Sequence, residues 1–290
     1  MTTLSSSIVK GRFDWGGVLL YIFLTAFGLL MLAPLVYLVS TAFKPTPELF
    51  LFPPRFFVVN PTLRNFYDLL LITGNSMVPF SRYIFNSLFV TLGVVSFGVV
   101  FGAMAAYPLS KHRFPMRNIL FGLIILSLMF APQVTNIPQY LVITKLGLIN
   151  TYWALIIPGI ANTVGLFLMK QFCDQIPEAL LEAAKIDGAN EWRTFWTVVM
   201  PMLKPAWATF ALFSFLASWN DAGSSMLFTT TENMKTLPYA LQTISGGAGV
   251  VARVGTLGAA SLLMTIPPVV VFIISQKLVL ETMAHSGLKE

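Results

Sequence analysis

From residue 18 to residue 41 the chain carries no charged side chain, and five further apolar runs follow along its length. Runs of this kind constrain the fold more than any single motif. At a rise of about 1.5 Å per residue, each is long enough to cross a hydrocarbon core of about 30 Å. A backbone in lipid must satisfy its own polar groups, which a helix does within one segment. The runs predict spans at residues 15–41, 83–109, 119–140, 150–171, 205–228 and 254–280. The expectation is an all-α polytopic membrane protein with six transmembrane helices, a single domain over residues 1–290. Trp15 and Tyr37 lie near the ends of the first run, where aromatic rings suit the membrane–water boundary.

Composition removes the main alternatives. With 56% hydrophobic and 10% charged residues and a mean hydropathy of +0.76, the chain lies far from soluble domains, where about a quarter of residues are charged. A net charge of +6 raises the question of nucleic acid, but the lysines and arginines are scattered at the ends of apolar runs, with no basic cluster interleaved with aromatics. They read as charges that set topology in a lipid bilayer, and no nucleic-acid partner is expected. Lys10, Arg12, Lys111, Arg113, Arg117, Lys170, Lys185, Arg193, Lys204, Lys277 and Lys289 share one side if both termini are cytoplasmic. The other side has Lys44, Arg55, Arg64, Arg82, Lys145, Lys235 and Arg253, several of them in one long loop that counts less. The first run is too long for a signal-peptide core and lacks a small-residue cleavage site, so it reads as a retained span.

Other features bound the chemistry. Cys173 is the single cysteine, which excludes an intrachain disulfide and a thiolate metal site. His112 and His285 fall at predicted helix ends, far apart in sequence. Gly246-Gly247-Ala248-Gly249 lacks the Gly-Lys-Ser/Thr ending of a phosphate loop and reads as a flexible outer turn. The Pro-rich residues 43–82 read as a packed irregular loop that caps the outer mouth of the bundle. No HExxH or serine-elbow motif is present, so an enzyme is not expected. A self-sufficient secondary transporter would usually carry inverted repeats or buried ion-coupling residues, and neither is visible.

One polar, helix-forming segment, residues 174–204, stands between two apolar runs and is tethered to the membrane at both ends. It contains Glu182-Ala183-Ala184-Lys185-Ile186-Asp187-Gly188 and, after nine more residues, Val198-Val199-Met200-Pro201. Pro177 suits a first helical turn, and Glu178 and Glu182 lie near its positive end. Ile176, Leu180 and Ala183 or Ala184 repeat at helical spacing, which leaves Glu178, Glu182 and Lys185 on a polar aspect. Gly188 permits a sharp reversal, and Trp192, Phe195, Trp196 and Val199 then mark a second amphipathic helix. Two short helices joined at a glycine can present a compact knob to a groove in another protein. A plain surface helix explains the aromatic face, but not the distance between Gly188 and Pro201.

This segment resembles the EAA loop of ABC-importer permeases: EAA, three residues, Gly, nine residues, then Ile-x-Leu-Pro, with Val198 and Met200 as departures. Much of the chain is similar to the carbohydrate-uptake branch of that family. The likeness includes residues 83–88, Ala106-Tyr107-Pro108-Leu109, residues 132–150, Ile176-Pro177-Glu178, Trp219-Asn220-Asp221, Gln276 and the Ser286-Gly287-Leu288-Lys289 tail. The Glu281-Thr282-Met283-Ala284-His285 ending looks like the branch that serves polysaccharide fragments, including acidic ones such as alginate or pectin oligomers. The resemblance implies a type I importer fold in the bacterial cytoplasmic membrane with residues 174–204 as the coupling segment. It implies a homologous second permease, two ATPase subunits that hold the ATP and Mg, an extracytoplasmic solute-binding protein, and an oligosaccharide substrate. It implies no cofactor in this chain. Glu182, Ala183, Ala184, Asp187, Gly188 and Pro201 would couple to the ATPase. A permease for another binding-protein-delivered solute is the alternative.

Polar groups deep in a span are costly unless they face a cavity or a partner. Trp219, Asn220 and Asp221, beyond the middle of the fifth run, and Asn162 and Thr163, near the middle of the fourth, are therefore candidates for a substrate path. An aromatic face can stack on sugar C–H groups while Asn and carboxylate oxygens bond hydroxyls. The competing reading is hydrogen bonding between helices, with Asn86 or Arg82 as partners. Gln133, Asn136 and Gln139 fit either a polar lining or a capped helix end, and Pro267-Pro268 are expected to bend or break the sixth span, as Pro158 would the fourth.

Overall fold

A computed structural model describes residues 15–74, 78–246 and 253–287, with the backbone alone at residues 71–74, 132 and 280–287. Lys10, Arg12, Gly247 to Gly249, Leu288 and Lys289 lie outside the described residues. In chain order the helices are α1 (Trp15–Phe43), α2 (Thr46–Leu49), α3 (Arg64–Gly74), α4 (Phe80–Lys111), α5 (Arg117–Ser127), α6 (Pro132–Lys145), α7 (Tyr152–Ile160) and α8 (Thr163–Asp174). There follow α9 (Glu178–Ile186), α10 (Glu191–Thr194), a π-helical turn (Phe195–Val199), α11 (Met200–Met202), α12 (Lys204–Trp219), α13 (Gly223–Phe228), a 3₁₀ turn (Glu232–Met234), α14 (Leu237–Gly246) and α15 (Val254–Gly287). Among the described residues there is no β-strand.

The apolar runs become helices, but fewer of them are unbroken than the sequence suggests. Three, α1, α4 and α15, are long and apolar enough to cross a bilayer, or five if each of two bent pairs is one span. The predicted third span is not one helix. Pro132 disfavours helical backbone at the residue before it, and Ala131 is extended (φ −69°, ψ 138°), so α5 and α6 are separate. The fourth predicted span is bent by 44° between α7 and α8. Its break falls at Ala161 and Asn162 rather than at Pro158, which lies within α7. Asn162 caps α8, its side-chain oxygen accepting the N–H of Gly165 at 3.0 Å. The fifth run stops at Trp219 and resumes as α13.

In the sixth run the expected bend or break is not a break: α15 continues through Pro267 and Pro268. Pro268 cannot donate to the carbonyl of Met264, and the indole N–H of Trp219 donates to that carbonyl instead, at 2.9 Å. A neighbouring helix thus supplies the bond that proline removes, as tolerated prolines in membrane helices require.

The segments between the first and second and between the fifth and sixth apolar runs are more ordered than loops. Residues 43–82 include α3, whose Leu69 is buried with Val78, Phe80 and Tyr83. Residues 229–246 include α14, which buries Leu237, Ala240, Leu241 and Ile244 in that same cluster with Trp219 and Ala260. Asn86 binds this region to α4, donating to the carbonyls of Asn233 and Lys235 at 2.8 Å each.

Helix α4 is the central post, packed on α7, α8 and α12. Lipid tails are as apolar as leucine, so the bundle is held by close fit rather than by exclusion of water. Gly165 shows the tolerance: a Cβ there would lie 1.8 Å from Cδ2 of Phe210. The outward faces remain apolar, for example Leu19, Phe23 and Leu30 of α1, as contact with lipid demands.

Candidate functional site

The first candidate site is the polar segment between α8 and α12. Its root is buried: Ile176, Leu181, Phe195, Val199 and Leu203 pack with Ala103, Tyr107, Met169 and Cys173 of α4 and α8. The inward face of α9 is carried by Leu181; Leu180, expected to face in, is 44% exposed. Of the second helix's aromatic face, Phe195 and Val199 are buried while Trp192 and Trp196 point outward. Glu182, Ala183, Lys185, Asp187 and Gly188 are exposed, and Ala184 is half-buried. Ile186 is 86% exposed on the knob, an apolar surface that reading the motif alone did not single out.

Gly188 has the role that its residue type suggests. Its φ is +76°, its N–H donates to the carbonyl of Lys185 at 3.0 Å, and the N–H of Ala189 donates to that of Ala184 at 2.9 Å. This pair of bonds is the Schellman closure of a helix, which needs a left-handed residue. Nothing lies within 4 Å of a Cβ built there, so the constraint is conformational rather than spatial. Asn190 then starts α10, its side chain accepting the N–H of Arg193 at 2.8 Å. Pro201 is exposed in α11 and follows the π-helical turn, just before the chain swings by 75° into α12.

Glu191 ties the knob to the bundle and was not visible as a motif. Its carboxylate meets Lys185 Nζ at 2.9 Å and His112 Nε2 at 3.4 Å. It also accepts the hydroxyl of Tyr107 in α4 at 2.9 Å. The hydrogen bond from Lys185, aided by that from Tyr107 and opposed by partial desolvation, holds the Glu191 carboxyl below its ordinary value. At the other end of the segment, Lys111 donates to the carbonyls of Asp174 and Ile176 at 3.2 and 2.6 Å. Both ends of the knob are therefore fastened to the last turns of α4.

The second candidate site is a cavity of about 430 Å³ between α4, α6, α7 and α12. Ser214, Ala217, Ser218 and Asp221 line it at intervals of three and four, one face of α12 continued past its end. Asn136 and Gln139 of α6 line it too, so their polarity serves a lining; Gln133 is not part of the wall. Asn162, at the break between α7 and α8, faces the same space and reaches Ser214 Oγ at 3.5 Å. Asp221 Oδ1 accepts the N–H of Ser224 at 3.0 Å.

The structure thus brings Asn162 and Asp221 together and separates them from the other three candidates. Trp219 is fully buried and stacked on Phe215 with ring centroids 5.7 Å apart. The expectation that it lines a path is corrected: its ring fills the helix interface because its N–H is needed by Met264. Asn220 is exposed outside the cavity wall and donates to the carbonyl of Leu216 at 2.8 Å in its own helix. Thr163 pairs with Ser127 at 3.0 Å, between α8 and α5. Asn86 and Arg82 are also not partners of Asn220 or Asp221; both contact Tyr152 and the backbone of Asn233 instead.

Comparison with known proteins agrees with this architecture. A family model described as binding-protein-dependent transport system inner membrane component matches residues 98–285. Protein LplC of Bacillus subtilis is 37% identical over 212 residues, 71% of this chain and 68% of that protein. The sn-glycerol-3-phosphate transport system permease protein UgpE of Yersinia enterocolitica is 33% identical over 204 residues, 70% of this chain and 73% of that one. The arabinooligosaccharides transport system permease protein AraQ of Halalkalibacterium halodurans is 29% identical over 262 residues, 88% and 90% of the two chains. A solved bacterial ABC transporter, involved in import of the acidic polysaccharide alginate, has a chain that superposes with a TM-score of 0.76 at 24% identity, over 96% of this chain and 99% of that one. At that identity the likeness is one of fold.

Proposed function

This chain belongs to the binding-protein-dependent transport system inner-membrane-component family, and from that premise we propose that it is a membrane-spanning subunit of an ATP-driven importer of sugars or oligosaccharides. The observation that carries the reading is the outward-facing knob at Glu178–Ile186 and Gly188, rooted in the bundle and bearing an exposed isoleucine. Such a surface fits a cleft of a separate ATPase, with Glu182, Ala183, Ala184, Asp187 and Gly188 as contacts and Pro201 setting the turn back into the membrane. Closure of two ATPase subunits on ATP and Mg would push on α9, and the fastenings at Lys111 and Glu191 would carry the push to α4.

The remaining assembly follows the same logic. A homologous second permease would complete the pore, and an extracytoplasmic binding protein would deliver solute to its outer mouth. Both termini and the knob would be cytoplasmic. Within the pore, Asp221 and Asn162 would meet the substrate in the cavity, and Asn220 would face the second permease. The relatives named for arabinooligosaccharides and for glycerol phosphate support a sugar or sugar-derived cargo. The latter keeps a small phosphorylated polyol as the second reading.

The test is purification of the tagged chain, co-expressed with its genomic neighbours, in mild detergent. The reading expects a co-purifying ATPase whose hydrolysis rises when a sugar-loaded binding protein is added. A stable chain that retains no ATPase, while it transports alone in vesicles, would overturn it.

A further inference from the structure

The charge of the cavity wall says more about cargo than the fold does. Its polar lining comes from Asn136, Gln139, Asn162, Ser214, Ser218 and Asp221, with Thr135 and Ser224 beside them. Among the described residues, the wall contains one carboxylate and no lysine, arginine or histidine. An ionisable group at membrane depth marks a function by default. Here it is an acid without a facing base: the ion pairs formed by aspartate and glutamate elsewhere in the described residues involve Asp68, Asp174 and Glu191, not Asp221.

Amides and hydroxyls both donate and accept, so this lining can follow the alternating hydroxyls of a neutral sugar. An acidic sugar meets different conditions. Each uronate carboxylate would leave water, find no cation in this wall, and approach a like charge in a medium of reduced dielectric. Selectivity built from such a repulsion needs no extra contact to the preferred ligand.

Resting on the sugar-import reading above, we propose that the cavity selects neutral, hydroxyl-rich oligosaccharides and discriminates against acidic ones, with Asp221 as the specificity-determining residue. Asn136, Gln139 and Asn162 bond the hydroxyls, and the Asp221 carboxylate accepts from a hydroxyl while it turns away anions. The fold likeness to a transporter of an acidic polysaccharide does not extend to the cargo.

The experiment uses the whole importer in detergent, without its binding protein, so that the permease's own preference is read. A neutral trisaccharide and a uronic-acid trimer of the same linkage are titrated, and stabilisation against heat is followed, for the native complex, Asp221→Asn and Gln139→Lys. The native complex should bind the neutral trimer at least about ten-fold more tightly, Asp221→Asn should narrow that ratio several-fold, and Gln139→Lys, which adds a cation to the wall, should favour the uronate. Gln139→Lys leaves the bond from Ser224 N–H to Asp221 intact, so the charge of the wall is still tested if Asp221→Asn fails to assemble. Equal or tighter binding of the uronate by the native complex overturns the proposal, as does an unchanged ratio in an assembled Asp221→Asn complex or, if that variant does not assemble, in Gln139→Lys. The importer reading is checked separately with the binding protein restored. ATP hydrolysis stimulated by some non-sugar solute and by neither trimer would overturn the sugar reading on which the proposal rests, whereas stimulation by the uronate alone would overturn only the charge selection.

Discussion

Trp219 donates its indole N–H to the main-chain carbonyl of Met264 at 2.9 Å, four residues before a proline that has no hydrogen to give it. The bond joins the end of α12 to the middle of α15 and explains why a tryptophan next to two polar residues is buried. Trp219→Phe should keep an aromatic ring against Phe215 but lose part of the indole's volume and orphan the carbonyl, the latter costing about 1–3 kcal/mol for a buried group. The check is a double-mutant cycle on thermal unfolding in detergent. Pro268→Ala restores an N–H at the right position, so Trp219→Phe should cost at least about 0.5 kcal/mol less in that background. Equal costs in both backgrounds would show that the indole acts by volume alone.

Gly188→Val is expected to leave membrane insertion intact and to abolish substrate-stimulated ATP hydrolysis and uptake. A left-handed residue with a side chain costs about 1–2 kcal/mol, and β-branching adds to that. Because the surrounding space is empty, the loss should reflect a displaced α9 rather than a collapsed bundle. Normal uptake in a stable Gly188→Val complex would contradict the role assigned to this turn.

Gly165→Ala should be worse for the bundle than Gly188→Ala. The added methyl meets the Phe210 ring at 1.8 Å, an overpacking that costs typically about 1–3 kcal/mol. Phe210→Leu in the same chain should recover much of the yield of monodisperse protein, read by size-exclusion chromatography.

Glu191 gives a pH-dependent prediction. Its pKa is lowered in the folded protein, chiefly by the bond from Lys185, so its contribution is present above the ordinary glutamate value and lost as the pH falls through the lowered one. The carboxylate is half exposed, so Glu191→Gln should cost under about 1 kcal/mol in stability. It should nevertheless reduce solute moved per ATP hydrolysed, since it joins α9 to Tyr107 of α4. Unchanged coupling would leave Lys111 as the fastening that matters.

Topology can be read with cysteine labels in a Cys173→Ala background. A cysteine at position 185 should react with a membrane-impermeant reagent only after the cells are opened, and one at position 57, in the 43–82 segment, should react in intact cells. Reaction at 185 from outside would reverse the orientation.

The sequence exposed the parts of this fold that depend on local pattern. Length and hydropathy sufficed for α1, α4 and α15, and the spacing from Glu182 to Pro201 marked the knob. What it hid depends on partners distant in the chain. Pro268 reads as a bend or a break because its substitute donor, Trp219, is 49 residues earlier in the chain. Leu237–Gly246 reads as a loop because it is too short to span, yet α4 and α15 pack against it. Leu180 and Leu181 are equivalent by composition, and only the buried cluster that Leu181 joins with Phe195, Val199, Tyr107 and Met169 decides which faces in. Asp221 and Asn162 were both plausible as helix-packing groups; their sharing one cavity follows from the 44° bend, which no average over the fourth run reveals.

That bend has a consequence for permeability. A helix that stops partway across a bilayer, at an asparagine facing an open space, invites water to that depth. A membrane that stores energy as an ion gradient cannot tolerate a continuous column of it. The resting importer must therefore keep a dry plug on at least one side of the cavity, and Val94, Leu155 and Leu227 are the apolar wall members placed to contribute to it. Shaving those side chains would show itself as a conductance, a passive leak of protons or small ions through a transporter that still hydrolyses ATP.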